Sequence, residues 1–237
     1  MKYFTILILM ACLATTSVPG YAQDAKANIR DEALQKIEQG DYAGAERMLK
    51  AQIASDKKDV VAYVLLGDLY RLKGDRRNAV KFLRKAIAID ADYAPAHLVL
   101  GNVYVLLQKD GEAVKEFRLF KEKMSGAELD AQRKAYYVRS LHDIVITCFS
   151  IKKYDMAKEA LDEILRLEPQ DQEAFYNMGV YQYRYKRNRS EAYRAFSKAA
   201  EIDANSAIAR KAKYAIEFMR SNPDARVEPD FSFIDNE

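Results

Sequence analysis

Residues 63–70 read Tyr-Val-Leu-Leu-Gly-Asp-Leu-Tyr, and residues 97–104 read His-Leu-Val-Leu-Gly-Asn-Val-Tyr, the same pattern 34 positions later. The period extends in both directions. Ala45, Ala79 and Ala113 are spaced by 34, as are Gly40 and Gly74, and Gly67 and Gly101. A fixed period of this length describes stacked supersecondary units, each too small to bury its apolar face alone. Gly67 and Ala79 in one unit, like Gly101 and Ala113 in the next, fall in mid-helix, where a larger side chain holds two helices apart. Leu66, Tyr70, Leu83 and Ile87 recur at helical spacing and fill the seam to the neighbouring unit.

The Leu-Gly-x-x-Tyr element followed by Ala-x-x-x-Leu or Ala-x-x-x-Phe resembles the tetratricopeptide repeat (TPR), a pair of antiparallel helices. The resemblance implies an all-α fold, an α-α superhelix or TPR solenoid. Five helix-turn-helix repeats are expected at about 26–58, 60–93, 94–126, 127–170 and 171–204, with an amphipathic capping helix at 205–220. In the first repeat Glu32 and Ala33 stand where a Leu-Gly pair is expected, so its first helix reads as a worn cap. The fourth carries Ile144, Tyr154, Ala157, Leu161, Ile164 and the helix-stopping Pro169. Ala113 to Ala157 is 44 residues, ten beyond the period, and Met124-Ser125-Gly126 marks a turn. This predicts one long helix at about 127–152 whose first turns overhang the stack. In the fifth repeat Gly179-x-x-x-Tyr183 is one residue longer than the pattern, which leaves the register of its first helix open.

The N-terminus reads as a separate segment. One charge at Lys2, an apolar run over 4–13 and Gly20-Tyr21-Ala22 before Gln23 match a secretory signal cleaved after Ala22. A competing expectation is lipidation at Cys12, because Leu9-Met10-Ala11-Cys12 resembles a bacterial lipobox, although Met10 departs from the residue usual there. Either route places the chain in the periplasm or envelope. With the signal removed, Cys148 stands alone and forms no internal disulfide. It occupies the place of Tyr70 and Tyr104 and reads as a core residue. Residues 221–237, with two prolines and five acids, read as a disordered tail carrying the apolar cluster Phe231, Phe233 and Ile234.

The chain has 237 residues, 31% of them charged, and a net charge of +3, too near neutral for a nucleic-acid protein. The local exception is a basic surface of Arg184, Lys186, Arg187 and Arg189, continuing to Arg194 and Lys198 and interleaved with tyrosines. It supports an alternative reading as a polyanion or single-strand binder. His97 and His142 are the two histidines, and no zinc, nucleotide, nucleophile-elbow or phosphate-loop motif occurs. No enzyme activity, cofactor or metal is expected.

What the resemblance implies about function is a protein partner, a peptide or helix, held in a concave groove lined by the first helices. The residues placed there are Val64, Asp68, Arg71, Leu98, Asn102 and Val105, followed by His142, Ile146 and Phe149, with Tyr181 or Arg184 in the fifth repeat. Asn102 matches an asparagine of the family's carboxylate-clamp members, but Leu98 replaces the neighbouring base, which argues against a chaperone-tail clamp. A further alternative is an outer-membrane lipoprotein assembly factor, similar to TPR pilotins, lipidated at Cys12. The alternative to a disordered tail is that the Phe231 cluster docks in the groove of its own chain, or of another copy, and regulates access.

Overall fold

A computed structural model describes residues 21–125 and 129–222, with side chains from residue 29 onward. Residues 1–20 of the expected signal segment, Cys12 among them, and the tail beyond Asn222 lie outside them, whereas Tyr21 and Ala22, the last two residues of that segment, open the first helix. The described residues hold eleven helices: α1 (Tyr21–Glu38), α2 (Tyr42–Ser55), α3 (Val60–Leu72), α4 (Arg76–Ile89), α5 (Ala94–Leu106), α6 (Asp110–Ser125), α7 (Ala131–Ser150), α8 (Tyr154–Leu167), α9 (Gln172–Arg184), α10 (Arg189–Ile202) and α11 (Ala207–Ser221). No strand occurs among these residues. The chain forms two compact units, 1–140 and 141–237, divided inside α7.

In the N-terminal unit the pairs α1/α2, α3/α4 and α5/α6 pack as hairpins, and α2 meets α3 as α4 meets α5 across the seams between repeats. Glycine sets the closeness of the pairs. A Cβ at Gly67 would stand 2.6 Å from Leu83 Cγ, and one at Gly101 would stand 2.5 Å from the Phe117 ring. Leu83 and Phe117 fill the space that a side chain would otherwise occupy, and both are fully buried. In the C-terminal unit Gly179 plays the same part beneath Phe196, at 2.6 Å. α9 packs on α8 and α10, and α11 covers α10 through Ala212, Ala215 and Met219.

The helix starts repeat as closely as the crossings. Asp41, Asp59, Asp75 and Asp171 accept hydrogen bonds from the backbone N–H three residues on, as do Asn188 and Ser206. Each such cap stabilises its helix by about 1 kcal/mol. Asp130 does the same for α7 by accepting from Arg133 N at 2.8 Å, so this helix begins at Ala131 rather than near 127. Its first turns do not overhang as expected: Tyr136 and Tyr137 are buried, with rings 6.2 and 5.7 Å from that of Phe120. The ten extra residues therefore add core to the N-terminal unit.

The turn inside each repeat needs one residue in the left-handed region. Gly40 (φ 81°) and Gly74 (φ 79°) supply it without strain, but Gln108 (φ 58°), Lys152 (φ 59°) and Arg187 (φ 54°) adopt the same conformation with a Cβ. Lys152 is exposed. Lys152→Gly is therefore expected to raise stability by about 0.5–1 kcal/mol, after the larger entropy of an unfolded glycine is deducted. Urea unfolding of the variant checks this, and an unchanged or lowered midpoint would show that the turn is unstrained.

These turns also resolve the fifth repeat. The N–H that opens each second helix donates five residues back, from Asp75 to Tyr70 O, Lys109 to Tyr104 O and Lys153 to Cys148 O; in the fifth repeat Asn188 reaches six back, to Gln182 O. Gly179 lies eight residues after the cap Asp171, as Gly67 does after Asp59. The register of α9 is thus that of α3, and the extra residue sits in the turn at 185–188. By this register Val180 and Tyr183, rather than Tyr181 and Arg184, are the counterparts of Asp68 and Arg71, and Tyr183 is itself buried.

Candidate functional site

The first helices α3, α5, α7 and α9 carry the residues expected to meet a partner, and burial divides those residues sharply. α3 is in contact with α1, α2, α4 and α5, and every residue from 62 to 70 is buried. Val64 and Leu98, expected on an accessible surface, are at 0% and 3% exposure and belong to the core. Asp68 is also buried, and it accepts from Arg71 Nε at 2.6 Å. Arg71 Nη2 is buried with no hydrogen-bond partner. Asn102 and Val105 are half-buried. The N-terminal unit thus offers a narrow strip of Arg71, Asn102 and Val105 in place of the six residues expected.

In the C-terminal unit the corresponding face is more open. Ile146 is 53% exposed, the most exposed large apolar side chain among the described residues. Phe149 follows one helical turn later on the same face and lies 5.5 Å from the Tyr185 ring. Tyr185 in turn stacks on Tyr154. Sequence reasoning placed Tyr154 among the pattern residues of the fourth repeat and Tyr185 among the tyrosines of the basic surface; only the packing of two turns brings these rings together.

His142 occupies the remaining expected position and is committed to structure. Its Nε2 lies 3.0 Å from Oδ2 of Asp171, the cap of α9, and its Nδ1 lies 3.7 Å from Glu173 Oε1. The N-terminal unit contains the same arrangement: Arg30 Nη2 donates to Oδ1 of Asp59, the cap of α3, at 2.8 Å. Both pairs are 29 residues apart. A cation on the first helix of one repeat thus locks the cap of the next, and a base 29 positions before a capping aspartate is the sequence signal that would have shown it.

Burial opposes charge on His142, but Asp171, Glu173 and Asp143 together outweigh it and raise its pKa above the ordinary 6.5. For Asp171 burial acts upward, and the bonds from His142 and the backbone of α9 reverse it to hold the carboxyl below 3.8. A raised histidine stabilises fully below its unfolded pKa and ceases to as pH rises through the folded one; the depressed aspartate stabilises above 3.8 and ceases to as pH falls. The lock is therefore strongest between about pH 4 and 6.5. His142→Gln is expected to cost most in that window and little at pH 9. Denaturant midpoints of both proteins across pH check this, and a pH-independent difference would remove charge from the interaction.

His97 is buried, with Nδ1 2.7 Å from Glu116 Oε2 and Nε2 3.1 Å from the Ala91 carbonyl. Both partners accept, so the doubly protonated ring satisfies both, in a packing role. Cys148 is a fully buried thiol. Among the described residues no group of three or more His, Cys, Asp or Glu side chains is placed to hold a metal, and no helix is long and apolar enough to cross a membrane.

The basic surface is partly committed as well. Arg189 donates to the Met219 carbonyl and lies over the Tyr183 ring. Arg194 pairs with Glu191 at 2.8 Å. Tyr181, Tyr183 and Phe196 are buried, so these rings are closed to base stacking. Lys186 and Arg187 are exposed, and Arg184 is half-buried.

Comparison with known proteins follows the same lines. A TPR family model matches residues 67–108, and a second tetratricopeptide-repeat model matches residues 138–171. No curated protein matches the sequence. Among solved structures the chain is similar to MamA, at 24% identity, a TM-score of 0.58 and coverage of 77% of this chain and 97% of that one. YrrB, described as a TPR protein with an unusual peptide-binding site, is 20% identical with a TM-score of 0.55, over 78% of this chain and 90% of that one. PilW, described as a widely conserved type IV pilus biogenesis factor, is 16% identical with a TM-score of 0.55, over 85% and 96%. At these identities the likeness concerns the fold, and it agrees with the repeats located above. Residues 67–108 and 138–171 are tetratricopeptide repeats, and with the periodic glycine crossings and capped hairpins they make the fold an all-α TPR solenoid, a scaffold for protein–protein interaction.

Proposed function

We propose that the chain is a non-catalytic scaffold of the bacterial periplasm or envelope, which binds a peptide or helix of a partner protein on the first-helix face of its C-terminal unit. The observation that carries this reading is Ile146, left 53% exposed at a repeat position whose counterpart Asp68 is buried. Together with Phe149 it forms an apolar anchor of the kind that dominates interface energetics when covered. YrrB lends support, since its fold is similar and it is described as having a peptide-binding site. The signal-like segment before Gln23 supports export.

A photo-crosslinking residue at position 146 is expected to capture a discrete partner from native envelopes, while the same residue at the exposed position 201 of α10 captures none. Equal capture at both positions would move the partner elsewhere. Arg71 is a poor site for disrupting binding, because its loss leaves Asp68 buried without its cation.

A second reading is a lipidated, pilotin-like assembly factor. It is favoured by Leu9-Met10-Ala11-Cys12 and by the likeness to PilW, described as a pilus biogenesis factor. Intact mass of the mature protein decides it: cleavage after Ala22 gives an unmodified chain from Gln23, and lipidation gives an acylated chain from Cys12.

A further inference from the structure

Two turns of the C-terminal unit concentrate positive charge. Residues 149–155 and 184–189 hold Lys152, Lys153, Arg184, Lys186, Arg187 and Arg189 against one acid, Asp155. Aromatic contacts draw these turns together: the Tyr154 and Tyr185 rings stack with centroids 3.5 Å apart, and Phe149 packs on Tyr185 from the end of α7. Phe149, Tyr154 and Tyr185 are each half-buried, whereas Lys152, Lys153, Lys186 and Arg187 are exposed. With Ile146 these rings make an apolar platform rimmed by cations. A peptide that carries aromatic side chains between carboxylates matches such a surface in both shape and charge.

The chain itself supplies a segment of that chemistry, and it leaves the fold close by. Arg189 donates to the carbonyl of Met219, and Arg220 lies 5.4 Å over the Tyr193 ring. The end of α11 therefore sits beside the first turn of α10, which continues directly from the basic turn at 185–188. Residues 223–237, outside the described residues, carry five acids and one base and finish Asp230-Phe231-Ser232-Phe233-Ile234-Asp235-Asn236-Glu237. The seven residues at 223–229 reach roughly 25 Å when extended, about two helix diameters.

We propose that residues 230–237 dock in cis on the platform of Ile146, Phe149, Tyr154 and Tyr185, with Lys152, Lys153, Lys186 and Arg187 meeting the carboxylates. The inference rests on the reading of this face as the partner surface, because Ile146 and Phe149 belong to both, and it makes the tail a built-in competitor. A short tether holds the tail at an effective concentration in the mM range, so a docking contact of modest intrinsic affinity keeps the face covered until a partner displaces it.

The test uses a fluorescent peptide of residues 230–237, titrated into the full-length wild type and into a full-length Phe231→Ser/Phe233→Ser/Ile234→Ser variant. The variant is expected to bind the peptide at least about tenfold more tightly, since its own tail no longer competes. Binding is expected to weaken with salt. It should be lost when Lys152→Glu, Lys186→Glu and Arg187→Glu are added at these exposed positions. Equal affinity for wild type and variant, no binding to either, or indifference to charge reversal overturns the proposal. Self-association of the wild type that disappears in the tail variant also overturns docking in cis and assigns the contact to a second copy. Because the probe is the tail itself, tail binding without any partner captured at position 146 would sink the proposed function and leave this inference standing.

Discussion

Phe117→Ala is expected to destabilise the N-terminal unit by about 3–5 kcal/mol. Phe117 is fully buried on α6, and its ring fills the space that Gly101 leaves open on α5. In an ordinary helix pair, neighbouring side chains relax into part of the void that a large-to-small change creates. Here one wall of the void is glycine backbone, which has no side chain to move, so the cavity closes less and the cost lies toward the upper end of the range. Gly101→Ala attacks the same contact from the other side, because its methyl would stand 2.5 Å from the ring. Overpacking of this kind costs about 1–3 kcal/mol. The two substitutions share one volume, so combined they are expected to cost less than the sum of the two alone. Hydrogen exchange along α5 and α6, with urea unfolding, measures both. A Phe117→Ala loss below about 1 kcal/mol would show that the two helices do not depend on this contact.

Asp59→Ala is expected to cost about 3 kcal/mol. Three groups converge on this buried carboxylate: the Ala62 N–H at 3.0 Å, Arg30 at 2.8 Å and Gln52 Nε2 at 2.7 Å. Removing it uncaps α3 and leaves a partly buried guanidinium and a buried amide without their acceptor. Asp59→Asn keeps the shape and one acceptor oxygen, and it is expected to cost about half as much because the charge of Arg30 stays uncompensated. Denaturant midpoints of the two variants separate the cap from the ion pair. Equal losses would mean that the charge contributes almost everything, and a loss below 0.5 kcal/mol for alanine would show that Arg30 and Gln52 find solvent instead.

Much of the fold was legible because its signals are local and repeat. Gly67 and Gly101 announce close crossings wherever they recur at 34 residues, whereas the capping role of Asp41, Asp59 and Asp75 emerged only with the bonds they accept. Gly179 is as plain a signal, yet the extra residue that follows it was not assignable, since an insertion reads alike in a helix and in the turn behind it. The bond from Asn188 to Gln182 placed it in the turn. The same limit applies to the start of α7. A ten-residue excess is visible along the chain, but packing of Tyr136 and Tyr137 against Phe120 is a tertiary matter.

The candidate site was less legible. Periodicity assigns Val64, Leu98 and Ile146 to equivalent or neighbouring positions on the first helices, and it is silent on how far adjacent helices close over them. In the structure Val64 and Leu98 are enclosed and Ile146 is exposed. His142 likewise has the type and spacing of a surface contact, and a cap 29 residues away draws it into the structure. By itself the sequence determined the helical repeat and its period, because small residues at helix crossings recur with the unit that needs them. Only the tertiary structure decided which side chains remain for a partner and which turns share one basic aromatic surface, because exposure depends on neighbours that are distant along the chain.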